Sequence, residues 1–538
     1  MHEIITLQLG RQSNYVATHF WNAQESYFTY GKDEPSPVDH DIHWRAGIGA
    51  DKTETYLPRT VVYDRKGGFG SLRKINALYE AAQEGNDGGT SSTSGTWAGQ
   101  AVVQRETPII PSAYTQSLDT GGDAAALTPS MVRYWSDFGR VYYHPRSLVE
   151  VGDEPEAADA EPDLSWAAGD ALFATLDREH DLLDRDLRPF LEEADQMQGL
   201  QVLTSIDDAW GGFAARYLER LRDEYGKSTV WLWALQEPVA RMPRAKRLVR
   251  LANKARTLAS AAGQASLVVP IAMPSLPLRG VESTLDPRLT WHVSALLATA
   301  IETATLPSRL RRGGDSLAYM TELLNATGHQ TVAHLQMTVG QSWRAIRKAA
   351  AAAHAQDVDI DGPAAALRLN IDLAPQDEPR TGVYGRPAGR PKKTRMFGQA
   401  VVSRGSSDDK NEKDDDDDDN NNSNNDDRTP DREDMARRRL ALQPVSQRYP
   451  VDLGFPLLDS FPHIYQLTAA QQTSIRVTTG LATNSTVADS IQGLRSVVVA
   501  PWAVSLEDRE DLGNELAGMA DAYHEGWSSG SDEADDDD

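Results

Sequence analysis

Three short apolar runs, separated by helical stretches, occupy the middle of the chain. The runs read LQVLTSI (200–206), STVWLWAL (228–235) and SLVVPIAM (266–273). A helical stretch, AARYLERLRDEYG, lies between the first two runs, and a basic amphipathic helix over 240–263 lies between the last two. Buried strands that alternate with helices are typical of a parallel sheet covered by helices. The sequence therefore predicts an α/β fold.

The chain opens with a pattern of strand, turn and helix. Residues 3–9 alternate between apolar and polar side chains and end at Gly10, after which apolar residues recur at helical spacing. A glycine at such a turn lets a phosphate approach the backbone, and the free N–H groups at a helix start attract anions. Many α/β proteins carry the same turn for purely structural reasons, so the pattern leaves both interpretations open.

A second candidate turn, DDAWGGF over 207–213, also lies between a predicted strand and a predicted helix. Asp207, Asp208 and the bulky Trp210 stand where a phosphate-binding loop needs small, uncharged residues. Two carboxylates would repel a phosphate unless a divalent metal ion bridged them. The structural alternative is that one of the two aspartates caps the helix that follows.

Three blocks in the first 230 residues resemble tubulin and occur in the same order. They are MHEIITLQLGRQSNYVATHFWNAQE, which is similar to the opening of tubulin, YLPRTVVYDRKGGFGS, which is similar to its third nucleotide loop, and QGLQVLTSIDDAWGGFAARYLERLRDEYGK, which resembles the segment with its glycine-rich signature. The resemblance implies a degenerate nucleotide site. The residues that it assigns to this site are Gly10, Arg11, Gln12, Asp64, Gly211 and Gly212.

The sequence departs from tubulin at each of these loops. Asp207-Asp208-Ala209-Trp210 begins the segment where tubulin has its glycine-rich signature, and Lys66 replaces an acidic residue of the third loop. Arg11 can offset part of the loss, because a guanidinium binds phosphate through two hydrogen bonds. GTP is the ligand that the resemblance implies. We expect it to bind weakly or not at all, and we expect no hydrolysis.

Further blocks extend the resemblance over most of the chain. YWSDFGRVYYHPRSLVEV, EADQMQGLQVL and WHVSALLATAIETATLPSRL resemble the Misato family of tubulin-related eukaryotic proteins more than tubulin itself. The resemblance implies a tubulin/FtsZ-like fold, in which a parallel-sheet nucleotide-binding-type domain precedes a second α+β domain. It also implies a role in the distribution, morphology and inheritance of mitochondria, at the surface of the mitochondrion and in the cytoplasm.

Three functions fit this resemblance. The one we predict is a non-catalytic protein that acts through protein partners. An active GTP-binding protein that assembles head to tail is an alternative, and so is a folding cofactor linked to the cytosolic chaperonin and to tubulin. Head-to-tail assembly needs two complementary faces. The substituted loops and the acid-rich segment at 408–427 disfavour such assembly.

Charge and composition limit the other classes of function. The net charge of -25 disfavours nucleic acid as a partner, because the mean field repels phosphate. The chain has no cysteine, which excludes disulfides and thiolate catalysis, and we predict no metal site. No stretch reaches the roughly 18 consecutive apolar residues of a transmembrane helix. We therefore expect contact with the mitochondrial surface to be peripheral.

Shifts in composition predict the domain boundaries. The predicted segments are an N-terminal domain over 1–240 with loops at 84–130 and 151–165, the first part of a second domain over 241–375, a disordered insertion over 376–445, the rest of the second domain over 446–523, and an acidic tail over 524–538. The insertion is basic and then acidic, and its low complexity predicts that it cannot bury enough apolar surface to fold.

Overall fold

The computed structural model covers most of the two predicted domains. The described residues are 2–29, 35–48, 54–72, 109–121, 125–152, 165–240, 242–325, 327–342, 345–346, 348, 369–375, 395–405, 444–467, 473–500 and 508–523. The predicted acidic tail and most of the predicted insertion lie outside these residues.

The strands and helices are numbered in chain order. The strands are β1 (Glu3–Leu9), β2 (Trp44–Ile48), β3 (Glu54–Pro58), β4 (Thr60–Arg65), β5 (Leu148–Val151), β6 (Met197–Ser205), β7 (Val230–Gln236), β8 (Leu267–Ala272), β9 (His334–Val339), β10 (Ile371–Asp372), β11 (Met396–Arg404), β12 (Val445–Val451), β13 (Phe455–Pro456), β14 (Ser474–Ile475) and β15 (Val477–Asn484). The helices are α1 (Arg11–Glu25), α2 (Ala113–Thr120), α3 (Trp166–His180), α4 (Arg188–Glu192), α5 (Ala209–Glu224), α6 (Arg244–Gln264), α7 (Thr290–Thr305), α8 (Leu317–Leu324), α9 (Thr486–Val499) and α10 (Arg509–Asp521).

A six-stranded parallel sheet forms the first half of the structure. Its strand order is β5-β4-β1-β6-β7-β8, and every neighbouring pair is parallel. The strands are buried on both faces, as expected where helices cover a parallel sheet. The predicted α/β fold with a parallel sheet is confirmed.

Two apolar cores lie on opposite faces of this sheet. Along β1, Ile5, Leu7 and Leu9 point into the core that α3, α5, α6, α9 and α10 share. Ile4 points to the other face, where α1 and α7 pack between this sheet and the second one. Helix α7 is buried on nearly every side, because it contacts α1 and three strands of the second sheet.

The second sheet has the strand order β10-β9-β15-β11-β12. Strands β11 and β12 are parallel, and the other neighbouring pairs are antiparallel. Strand β11 lies inside the segment predicted to be disordered over 376–445, and this part of the prediction is wrong. Its sequence, MFGQAVVSR, is fully buried, but charged low-complexity stretches flank it in the sequence and masked its apolar pattern.

The structure also places two element boundaries differently from the sequence prediction. The first sheet continues to Ala272, beyond the boundary predicted at 240, because α6 is the crossover that connects the parallel strands β7 and β8. The predicted loop at 84–130 contains α2, which Ser112 caps by accepting a hydrogen bond from the Thr115 backbone N–H.

The helical segment between β5 and β6 is interrupted. Helix α3 ends at His180, and Asp181, which follows it, has a left-handed backbone with φ of 47°. A π-helical turn over Leu183–Leu187 follows, and α4 begins with Pro189 in its first turn. Because proline has no N–H group to donate to the preceding turn, it is tolerated at a helix start but not in a helix interior.

A cluster of charged side chains lies fully buried where α1, α7 and the second sheet meet. Glu302 of α7 pairs with Arg309 at 2.5 Å and with Arg404 at the end of β11. Tyr27 donates a hydrogen bond to Glu302 at 2.9 Å and accepts one from Arg404 at 2.8 Å. We call these four residues the Glu302 cluster. Burial raises the pKa of Glu302, but the two guanidinium groups outweigh burial and lower it.

We predict that Glu302→Gln lowers the free energy of unfolding by about 3–5 kcal/mol, because two buried arginines lose their counter-charge. Urea unfolding followed by circular dichroism measures this change. The pKa of Glu302 is lowered in the folded state. The stabilisation that ionised Glu302 provides is therefore fully present above the ordinary carboxyl pKa and is lost as the pH falls through the lowered pKa of the folded state. Glu515→Gln, at an exposed position of α10, is the matched control. A loss below about 1 kcal/mol would contradict the proposed importance of the cluster.

Candidate functional site

The candidate nucleotide site lies at the carboxyl ends of β1, β4, β6 and β7. After β1 the chain builds one side of the sheet with β4 and β5, and it later returns to the other side of β1 with β6. The crevice outside such a switch point is the usual ligand site of an open parallel sheet. Gly10 follows β1 there, and the loop Ile206–Asp208 follows β6 on the other side of the switch point.

A tryptophan ring lies directly against Gly10. A Cβ atom built on Gly10 would lie 2.5 Å from the indole nitrogen of Trp210, and Gly10 has a φ of 88° that disfavours any side chain. The Gly10 N–H donates to the Tyr63 carbonyl at 3.0 Å, so it is not free for a ligand. Gly10 therefore serves the close approach of an indole from the neighbouring loop.

Asp208 holds the start of α5. Its side chain accepts a hydrogen bond of 2.9 Å from the Trp210 backbone N–H, which confirms the predicted aspartate cap. Burial and the neighbouring Asp207 carboxylate raise the pKa of Asp208 to about 8. The cap is therefore a buried carboxyl group that binds its proton tightly.

Asp207 pairs with a buried arginine of α6. Its Oδ2 atom accepts from Arg250 Nη1 at 2.7 Å and from the Glu237 backbone N–H at 3.2 Å. Arg250 Nη2 also lies 3.0 Å from the Glu237 carboxylate. Burial raises the pKa of Asp207 against the opposing field of Arg250. Asp207, one of the two carboxylates predicted to repel a phosphate, is therefore bonded to α6.

A polar stripe on α6 holds the β6–α5 loop, and sequence reasoning missed it. Arg250, Asn253 and Thr257 recur at helical spacing. Asn253 donates to the Asp207 carbonyl at 3.1 Å, and Thr257 donates to the Ile206 carbonyl at 3.0 Å. The spacing of these three polar residues beside the apolar stripe was the available signal.

The basic amphipathic helix predicted over 240–263 is α6, and part of its charge is buried. Leu248, Leu251 and Leu258 are buried, as expected for the apolar face of an amphipathic helix. Arg250 and Lys254, however, are also buried and do not face water. The charge of Arg250 is paired with Asp207 inside the protein.

Gly211 and Gly212 lie in a contact between helices. A Cβ atom on Gly211 would lie 2.5 Å from Thr257 Oγ1, and one on Gly212 would overlap the Trp166 carbonyl of α3. A Cβ atom on Gly169 of α3 would likewise overlap the Ala209 carbonyl. These glycines let α3, α5 and α6 approach one another, so their role in the structure is packing.

The remaining predicted residues are divided between two sides of α1. Gln12 accepts a hydrogen bond from Ser205 at 3.1 Å, and the partly exposed Arg11 lies with its guanidinium 5.8 Å from the centroid of the Tyr15 ring. Asp64 is buried and accepts hydrogen bonds of 2.9 Å from Asn14 and from the Trp135 indole. Trp135 was not anticipated, because it reaches Asp64 from 71 positions away in the chain.

These contacts decide whether the turn fits a phosphate group. The indole of Trp210 covers Gly10, the Gly10 N–H is already paired, and the buried carboxyl groups of Asp207 and Asp208 follow β6. A phosphate needs free N–H donors and no buried acidic neighbours. The residues present do not fit a nucleotide phosphate in this arrangement.

Two further features concern metals and membranes. Nowhere in the described ranges do three or more His, Asp or Glu side chains gather in a way that could hold a metal ion. Among the helices that the structure describes, none is long and apolar enough to cross a membrane.

We predict that Asp208→Asn stabilises the protein relative to wild type, increasingly so as the pH rises from about 4 to about 8. Asparagine caps helices as well as aspartate does. The folded wild type binds a proton up to a pKa of about 8, whereas the unfolded chain releases it near the model value of 3.8, so wild-type stability falls across this window. The difference grows by at most about 1.4 kcal/mol per pH unit.

Urea unfolding at several pH values measures this difference. Asp508→Asn makes the same exchange at the exposed start of α10 and serves as the control. A difference between Asp208→Asn and wild type that stays constant from pH 4 to pH 8 would show that Asp208 ionises normally.

Comparison with known proteins agrees with this architecture. A model of the Misato Segment II tubulin-like domain matches residues 2–120, and a model of the Tubulin domain matches residues 124–310. Protein dml-1 of Neurospora crassa is 48% identical over 563 aligned residues, and Protein DML1 of Gibberella zeae is 46% identical over 548. Protein dml1 of Aspergillus clavatus is 41% identical over 542 aligned residues.

These alignments cover 100% of this chain and 100% of each of the three fungal proteins. The similarity therefore includes the crevice, both sheets and the segments between them. The resemblance found in the sequence is confirmed, and the chain belongs to the Misato family of tubulin-like proteins.

Proposed function

We propose that this chain is a non-catalytic tubulin-like protein that acts in the distribution, morphology and inheritance of mitochondria. Family membership supports the mitochondrial role, because that role is what the Misato resemblance implies. The observation that supports the non-catalytic part is the Trp210 indole against Gly10. A tubulin-like scaffold whose crevice is filled by its own side chain has no evident use for a nucleotide.

The chemistry of the crevice supports the same proposal. Hydrolysis of a nucleotide requires donors that stabilise the charge developing on the phosphate. Arg250, the buried cation at this end of the sheet, is already paired with Asp207 and Glu237. Arg11 is half-buried and lies beside Tyr15, so it is the residue through which any remaining anion affinity would act.

We also propose that the protein acts through protein partners. Its sites of action are the surface of the mitochondrion, reached peripherally, and the cytoplasm. The cytosolic chaperonin and tubulin are the partners to test first, because a tubulin-like fold is the kind of surface that both already recognise. Nucleic acid is not among the proposed partners, since the net charge of -25 repels it.

We predict that the purified, nucleotide-stripped chain does not bind GTP with magnesium in a calorimetric titration. Any dissociation constant should be weaker than about 100 μM, or about 5.5 kcal/mol of binding free energy. Trp210→Ala removes the indole from Gly10 and is the informative variant, because new GTP binding there would show that the indole alone closes the turn. Saturable GTP binding by the wild-type chain, shown to be folded, would refute the closed-crevice proposal.

We predict that the chain restores normal mitochondrial distribution in a Neurospora crassa strain that lacks Protein dml-1. Trp210→Phe should restore it equally well, because an aromatic ring still covers Gly10. Fluorescence microscopy of labelled mitochondria measures the outcome, and pull-down from the same strain tests for chaperonin and tubulin. Normal mitochondria in the strain without Protein dml-1 would refute the mitochondrial role, whatever the GTP titration shows.

A further inference from the structure

A second group of buried polar side chains lies at the opposite, amino-terminal edge of the parallel sheet. Arg59 stands between β3 and β4, and its backbone is held on both sides. The Arg59 N–H donates to the His43 carbonyl at 2.8 Å, and the Arg59 carbonyl accepts from the Thr6 N–H at 2.9 Å. The backbone of Arg59 is therefore held by β1 and by the segment that leads into β2.

Two nitrogens of the buried Arg59 guanidinium have no hydrogen-bond partner. The residue is 8% exposed, and its Nε and Nη1 atoms are covered but meet no acceptor within the described ranges. Leaving buried donors of a cation unpaired costs free energy, so such groups are normally hydrogen-bonded or paired. Within the part of the chain that the structure describes, these two nitrogens therefore lack the acceptor that such groups normally have.

Two carboxylates near Arg59 already have hydrogen-bond or ion-pair partners. Glu3 accepts hydrogen bonds from the backbone N–H groups of Asp195 and Gln196 at 3.2 and 3.0 Å. Glu193 pairs with Arg45 at 2.7 Å. The negative charges of Glu3, Glu193 and Asp41 raise the pKa of Arg59. Among the described residues, however, none of these groups forms an ion pair with it.

Arg45 adds a second donor. It lies on β2 opposite Leu57, two residues before Arg59, so the β2–β3 hairpin places the two arginines close together. The positive charge of Arg45 lowers the pKa of Arg59. The covered Nε atom of Arg45 also has no acceptor in the described structure. The Arg45 and Glu193 side chains are 18% and 42% exposed, which leaves this edge open to solvent.

We propose that Arg59 and Arg45 form a binding site for a small oxyanion, either a carboxylate or a phosphate. The Arg59 guanidinium can donate charge-assisted hydrogen bonds to the oxygens of such a group, and Arg45 Nε can donate a further one. One negative charge is enough, because Arg45 already has Glu193 as its counter-charge. This site lies at the other end of the strands from the crevice at Gly10.

Thermal unfolding of the full chain in formate, phosphate or chloride, at constant ionic strength, tests the proposal. We predict that formate or phosphate raises the Tm of the wild type saturably, and that Arg59→Met abolishes this increase. Arg59→Lys keeps the charge but removes the fork, so anion affinity should fall at least tenfold. Arg311→Met, at an arginine that is 47% exposed, controls for general salt effects and should keep the wild-type response.

The two anions distinguish the source of the ligand. A response to formate alone indicates a carboxylate, and a response to phosphate alone indicates a phosphate group. A wild-type Tm that changes no more with these anions than that of Arg59→Met would overturn the proposal. The wild-type titration decides the question even if Arg59→Met does not fold, because the absence of saturable stabilisation would also overturn it.

Discussion

The ion pairs of Glu302 connect the two halves of this protein. Glu302 lies on α7, the helix between the two sheets, and Arg404 is the last residue of β11. A carboxylate buried among two arginines and a tyrosine is stable only when all of them are in place. The Glu302 cluster therefore holds the carboxyl end of β11 against α7, although this strand lies between two highly charged segments of the sequence.

At the crevice beside β1 and β6, glycines are in close contact with protein side chains. Gly10 still forms the tight turn after β1, and Gly211 still stands in the first turn of α5. Each glycine now accommodates protein atoms, the Trp210 indole in one case and Thr257 in the other. Glycine permits a close approach by a ligand and by protein atoms alike. A glycine in the sequence therefore did not reveal which of the two approaches it.

Several features of the fold and of the site followed from local sequence patterns. The alternation of apolar runs with helices gave the parallel sheet, and an aspartate before a helix gave the cap at Asp208. The prediction failed at β11, where the composition of the flanking segments outweighed nine buried residues. The burial of Arg250 was not foreseen either, because helical spacing cannot tell which flank of an amphipathic helix meets a buried carboxylate.

The sequence by itself determined the alternating strands and helices of the parallel sheet, because periodicity, caps and turns depend on residues that are close along the chain, and the family followed from its resemblance to known proteins. Only the tertiary structure decided the partners of the polar side chains. Trp210 covers Gly10 from 200 positions away, and Arg250 reaches Asp207 across the β6–β7 end of the sheet. That two nitrogens of Arg59 lack an acceptor among the described residues also became visible only in the fold, since a buried charge is recognised by what surrounds it.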